Sequence, residues 1–130
     1  MLAFRAADAA GLVAALLLGL AGCGDHTPDP ALTVKLDYRQ GVEAIAAHDF
    51  AAAERHLAAA AQLAPDDPYV ALNLGVAYQN LGELEKARAA YRHAVEIGEG
   101  VKPVRVTDPH YAGRTVADLA RDNLASLPPP

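Results

Sequence analysis

The chain repeats itself at a spacing of 34 residues, and that limits its fold more than any other feature it carries. Gly41 maps to Gly75, Ala44 to Tyr78, Phe50 to Leu84 and Ala53 to Ala87. Leu57 maps to Tyr91, Ala60 to Ala94 and Leu63 to Ile97. A unit of this length is one supersecondary motif that buries its apolar face only by stacking on a neighbour. Gly41 and Gly75 on a first helix, and Ala53 and Ala87 on a second, are small enough for two helices to cross closely. Phe50, Leu57, Leu84 and Tyr91 then fill the space between turns. Composition agrees with helices rather than strands: 52% of residues are hydrophobic but only 5% aromatic, and Ala and Leu supply the apolar content.

The period and its punctuation predict helices near 33–47, 50–64, 68–81 and 84–98. His48-Asp49 and Leu81-Gly82 mark turns inside each hairpin. Asp67-Pro68 supplies an N-cap and a first-turn proline between the repeats. Past Ile97 the period breaks. Gly98–Thr107 holds Gly98, Gly100 and Pro103, with Val101, Val104 and Val106 alternating in a short extended run; this excludes a third repeat in register and makes 102–108 a linker. Asp108-Pro109 then offers a new helix start, and Val116, Leu119, Ala120, Leu124 and Leu127 share one face of a helix over 109–127. Such a helix is the cap that a solenoid needs over its last apolar face. Two repeats fall short of the three or more that usually make a stable array, so the cap or self-association supplies the rest. Pro128–Pro130 reads as a disordered tail.

These spacings resemble the tetratricopeptide repeat. Residues 68–101, with PYVALNLGVAYQNLGELEKARAAYRHAVEI, match its pattern closely. Residues 33–67 depart from it at Asp37 and Gln40, which stand where large apolar residues are usual. The resemblance implies an all-α fold, a short helical-hairpin solenoid of two repeats plus a C-terminal capping helix. It also implies that the first helix of each hairpin lines a concave groove for a peptide or helix. By position, the groove residues are Lys35, Tyr38, Arg39, Val42 and Ile45 in repeat one. In repeat two they are Tyr69, Leu72, Asn73, Val76, Gln79 and Asn80. Tyr38 and Val42 occupy two places where relatives that clamp a carboxylate carry basic or Asn residues, which disfavours that mode. A second reading has Tyr38, Tyr69 and Leu72 packing against the C-terminal helix or a dimer mate.

The N-terminus carries a different signal. Arg5 leads into an uncharged run of 12 residues, Ala9–Leu20, too short to span a membrane and suited to a secretory signal peptide. A buried helix of the fold is the alternative, but it does not account for small residues placed directly before Cys23, the only cysteine. Leu20-Ala21-Gly22-Cys23 resembles the lipobox of bacterial lipoproteins. That resemblance implies a signal peptide over 1–22, cleavage before Cys23 and acyl chains on the Cys23 sulfur. Residues 23–32, with the polar DHTPDP stretch, then form the lipidated end and a flexible tether. Gly24 rather than Asp after the cysteine leans toward the outer membrane over the inner.

Little else points to chemistry. A lone thiol makes no internal disulfide and no CxxC site. The five His residues include no i,i+4 pair and no H-E-x-x-H. Ser126 lacks a nucleophile context, and Glu83, Glu85, Lys86, Arg88 and Arg92 read as a solvated, mutually paired helix face. The net charge of −5 is unchanged by loss of residues 1–22, which removes one Arg and one Asp, and no basic cluster suits nucleic acid. The expectation is therefore a non-enzymatic, cofactor-free and metal-free adapter. It would be lipid-anchored facing the periplasm and bind an envelope protein or peptide. The rival expectations are a homo-oligomer whose groove holds a neighbour's C-terminal helix, and a helper subunit of an envelope enzyme.

Overall fold

The computed structural model describes residues 27–103 and 112–130, which form five α-helices. These are α1 (Pro30–Ala46), α2 (Phe50–Leu63), α3 (Pro68–Asn80), α4 (Leu84–Ile97) and α5 (Val116–Ser126). Among the described residues there is no strand. The all-α solenoid expected from the period is present: α1 pairs with α2, α3 with α4, and the second hairpin stacks on the first through α2 and α3.

The reason lies in the small residues. A Cβ added at Gly41 would lie 2.5 Å from Leu57 Cγ, and one at Gly75 would lie 2.5 Å from Tyr91 Cε1. Each first helix thus receives the large side chain of its second helix against bare backbone. Ala53, Leu57 and Ala60 in α2, and Ala87, Tyr91 and Ala94 in α4, are all fully buried. The same three positions therefore form the seam of both repeats.

The turns are also duplicated. At the end of α1, Asp49 N–H donates to Ala44 O at 2.9 Å and His48 N–H to Ile45 O at 3.0 Å. At the end of α3, Glu83 N–H donates to Tyr78 O at 2.9 Å and Gly82 N–H to Gln79 O at 3.1 Å. This pair of bonds is a Schellman closure, and its C′ residue must be left-handed. Gly82 sits there at φ 77°, and His48 takes the same conformation at φ 59°.

Three differences from the sequence expectations have local causes. The first helix begins at Pro30, not 33, because Asp29 accepts from Ala31 N–H at 2.9 Å and Pro30 occupies the first turn. Residues 30–32, assigned above to the tether, are therefore helical. The last helix begins at Val116 rather than 109. Thr115 caps it by accepting from Asp118 N–H at 3.1 Å, and the Asp118 carboxylate accepts from Thr115 N–H at 2.9 Å, a capping box. Asp108-Pro109, Val104 and Val106 lie outside the described residues. The proline tail is tied at its start: the Arg88 guanidinium donates to the Pro128 carbonyl. That contact also removes Arg88 from the solvated face assigned to it, since it is only 8% exposed. It keeps the expected pairing with Glu85, at 3.3 Å.

The α5 helix lies against α4 and α3 much as α3 lies against α2 and α1. Ala120 closes on Ala71 and Ala94, and Leu127 closes on Ala87 and Tyr91. It thus stands in the place of a third repeat's first helix. Val116 N–H donating to Val101 O at 2.7 Å and Ala117 N–H to Gly98 O at 3.3 Å fix where it returns to the stack.

Candidate functional site

The first helices of the two hairpins, α1 and α3, touch each other, and their meeting point is polar. Asn73 donates its side-chain amide to the Tyr69 carbonyl at 2.8 Å and to the Tyr38 hydroxyl at 3.4 Å. Burial, with the Asp67 carboxylate adding to it, pushes the Tyr38 phenol above its ordinary range. The hydroxyl stays neutral at physiological pH and can both donate and accept. Tyr69 turns the other way, donating its hydroxyl to Lys102 O at 2.5 Å and holding the start of the linker.

The groove positions named from the sequence divide into two groups. Lys35, Arg39 and Val42 are exposed on α1, Tyr38 is half-buried beside Asn73, and Asn80 is exposed at the end of α3. Asn80 bonds its own helix, donating to Val76 O at 2.8 Å. The others are drawn inward. Ile45 packs on the Ala53, Leu57 and Ala77 cluster. Leu72 and Val76 are half-buried and pack on the cluster of Ala87, Tyr91 and Leu127, which includes the chain's own C-terminal end. Gln79 accepts from the Tyr91 hydroxyl at 2.7 Å, and Asn123 of α5 also bonds that hydroxyl. Burial nevertheless pushes the Tyr91 phenol up to about 12.

A shallow groove with room for about 400 Å³ runs along the outer face of α1; it includes Lys35, Tyr38, Arg39 and Val42 from the sequence-based set, while Leu32, Leu36 and Glu43 were missed. It is lined by Leu32, Lys35, Leu36, Tyr38, Arg39, Val42 and Glu43. The signal was available: Leu36 has Val70 as its counterpart one period on, and Glu43 has Ala77. Val70 and Ala77 are buried, at 1% and 0% exposure, whereas Leu36 is 43% exposed.

The histidines are dispersed. His56 pairs with Asp37 at 3.2 Å across the α1–α2 hairpin, which gives the unusual Asp37 a partner where repeat two carries Ala71. His93 meets Pro65 O at 2.8 Å, and His48 lies edge-on to Phe50. Among the described residues no three His, Cys, Asp or Glu side chains converge to hold a metal. His26, His110 and Cys23 lie outside those residues. No described helix is long and apolar enough to cross a membrane.

Residues 44–100 match the tetratricopeptide repeat family. The match runs from the last turn of α1 to the end of α4, somewhat under half of the chain, and supports a tetratricopeptide-repeat domain. Comparisons with curated proteins and with solved structures returned no match.

Proposed function

We propose that the chain is a lipid-anchored adapter of the bacterial envelope that holds a protein partner on the surface shared by α1 and α3. Tetratricopeptide repeats generally mediate protein–protein interaction and are typically non-catalytic. One observation carries the siting. Asn73 meets the Tyr38 hydroxyl and the Tyr69 carbonyl at the junction of the two first helices, where an amide and a neutral phenol can engage a peptide backbone. In the other half of the family groove, Leu72 and Val76 already pack on the cluster that includes Leu127. A partner therefore binds toward the α1 side, and a neighbour's C-terminal helix is not needed to fill repeat two.

The anchor rests on Leu20-Ala21-Gly22-Cys23 after an apolar run. Two or three acyl chains on Cys23 hold the domain firmly, since each buried methylene adds about 0.8 kcal/mol. Confinement to a layer beside the membrane raises the local concentration of the domain around an envelope partner. Gly24 favours the outer membrane.

A photo-crosslinking amino acid at Asn73 of the full chain, expressed in bacteria, tests the surface. The expected result is one dominant envelope protein captured from Asn73 and not from Ala125 on α5. Equal capture from both sites, or none from Asn73, contradicts the reading. Labelled palmitate tests the anchor: incorporation should vanish in Cys23→Ser, and persistence of label would refute lipidation there.

A further inference from the structure

We infer that the outer face of α1 is a self-association surface on which a second copy of this chain packs antiparallel, about a two-fold axis at Arg39. The two ends of the solenoid are unlike. The far end is sealed by α5, whose outward side carries Arg114–Asp122 at 2.5 Å and Arg121–Asp118 at 3.0 Å, with Arg121 also paired to Glu99. Among the described residues the near end has no such cover. Of the five large hydrophobic residues exposed among the described residues, three lie on α1: Leu32 at 64%, Leu36 at 43% and Val42 at 36%. In repeat two the same face of α3 is closed by α2, where Ala77 meets Ala53 and Leu57.

The spacing of charge identifies the occupant. Leu32, Lys35/Leu36, Arg39 and Val42/Glu43 run as one stripe along α1, at helical steps of three and four. In an antiparallel pair centred on Arg39, Lys35 faces Glu43 of the second copy and Leu36 faces its Val42, each contact occurring twice. The two Arg39 side chains meet at the axis, each already beside its own Glu43 at 3.8 Å. The stripe is thus complementary to itself. The charges on the outward side of α5 are already paired with one another, which disfavours end-to-end growth, and the contact closes as a dimer. One pair of 17-residue helices supplies less than the ~800 Å² per partner of a standard interface, so the dimer is weak and exchanging. This inference is independent of the adapter reading. It assigns Lys35, Arg39 and Val42 to self-contact and leaves Asn73 to the partner, with Tyr38 at the border of the two surfaces.

Disulfide trapping in the full chain tests it. With Cys23→Ser as background, Arg39→Cys places one thiol at the axis, and Ala125→Cys places one on α5 as control. Mild oxidation should give a covalent dimer from Arg39→Cys and little from Ala125→Cys. Adding Glu43→Lys should cut the trapped dimer roughly tenfold by turning two attractive pairs repulsive. Adding Lys35→Glu to that variant should restore it. No excess of dimer over the control overturns the proposal, as it would if residues 1–26 or another protein covered the face. Trapping that ignores the charge swap overturns the antiparallel pairing.

Discussion

At the scale of single residues, two pairs of equivalent glycine-type positions behave differently and can be separated by experiment. Gly75 has the Tyr91 ring 2.5 Å from where its Cβ would be, so any side chain must displace a fully buried aromatic. Gly75→Leu is expected to lower stability by about 3 kcal/mol or more, read as a fall in melting temperature. Gly82 has nothing within 4 Å of its Cβ position, and its constraint is conformational alone, at φ 77°. Gly82→Ala should therefore cost only about 1 kcal/mol. His48 occupies the same left-handed turn one period earlier, and His48→Gly should stabilise by roughly 0.5 kcal/mol, the relief of strain exceeding the added chain entropy. Denaturant titration of the three variants checks the order.

At the scale of elements, what was legible in the sequence was whatever the period or a cap made explicit. Asp67-Pro68 fixed the start of α3, and the carboxylate does accept from Tyr69 and Val70 N–H, at 2.9 and 3.2 Å. The start of α5 was misplaced because Asp108-Pro109 resembles a helix start in isolation. The stronger signal was Thr115-Val116-Ala117-Asp118, a reciprocal capping box placed just before the buried Val116. Bonds from Thr115, the backbone one foremost, hold the Asp118 carboxyl below its usual range. A depressed carboxyl contributes stability that is present at neutral pH and lost as pH falls through the folded-state value. Asp118→Ala should lower stability at neutral pH and flatten the acid limb of the stability profile, followed by helical circular dichroism. Arg88 was legible as one half of the Glu85 pair but not as a buried donor. Its acceptor, the Pro128 carbonyl, is 40 residues away and carries no sequence pattern.

At the scale of the whole molecule, two hairpins and a borrowed third layer make one stack, and Tyr91 joins the second hairpin to that third layer. It is fully buried, fills the space left by Gly75, and bonds Gln79 on α3 and Asn123 on α5. Its phenol titrates near 12 in the folded chain and near 10 in the unfolded one. The folded state therefore holds that proton more tightly. The stabilisation is complete below pH 10 and is lost as pH rises toward 12, on the order of 2 kcal/mol. Tyr91→Phe should remove that part of the alkaline loss while weakening the chain at neutral pH. The partner-binding surface was less legible than the fold. Family positions name a groove, but they do not reveal that Leu72 and Val76 would pack on a cluster shared with Leu127, because that contact joins a repeat to a segment outside the period.

The central claim is that bare glycine backbone on each first helix receives the large side chain of its own second helix, repeated at a 34-residue interval. Nuclear Overhauser spectroscopy reads this directly. The account predicts strong cross-peaks from the Gly41 α-protons to the Leu57 methyls and from the Gly75 α-protons to the Tyr91 ring. Absence of both, in a chain whose amide spectrum is dispersed and helical, would contradict it.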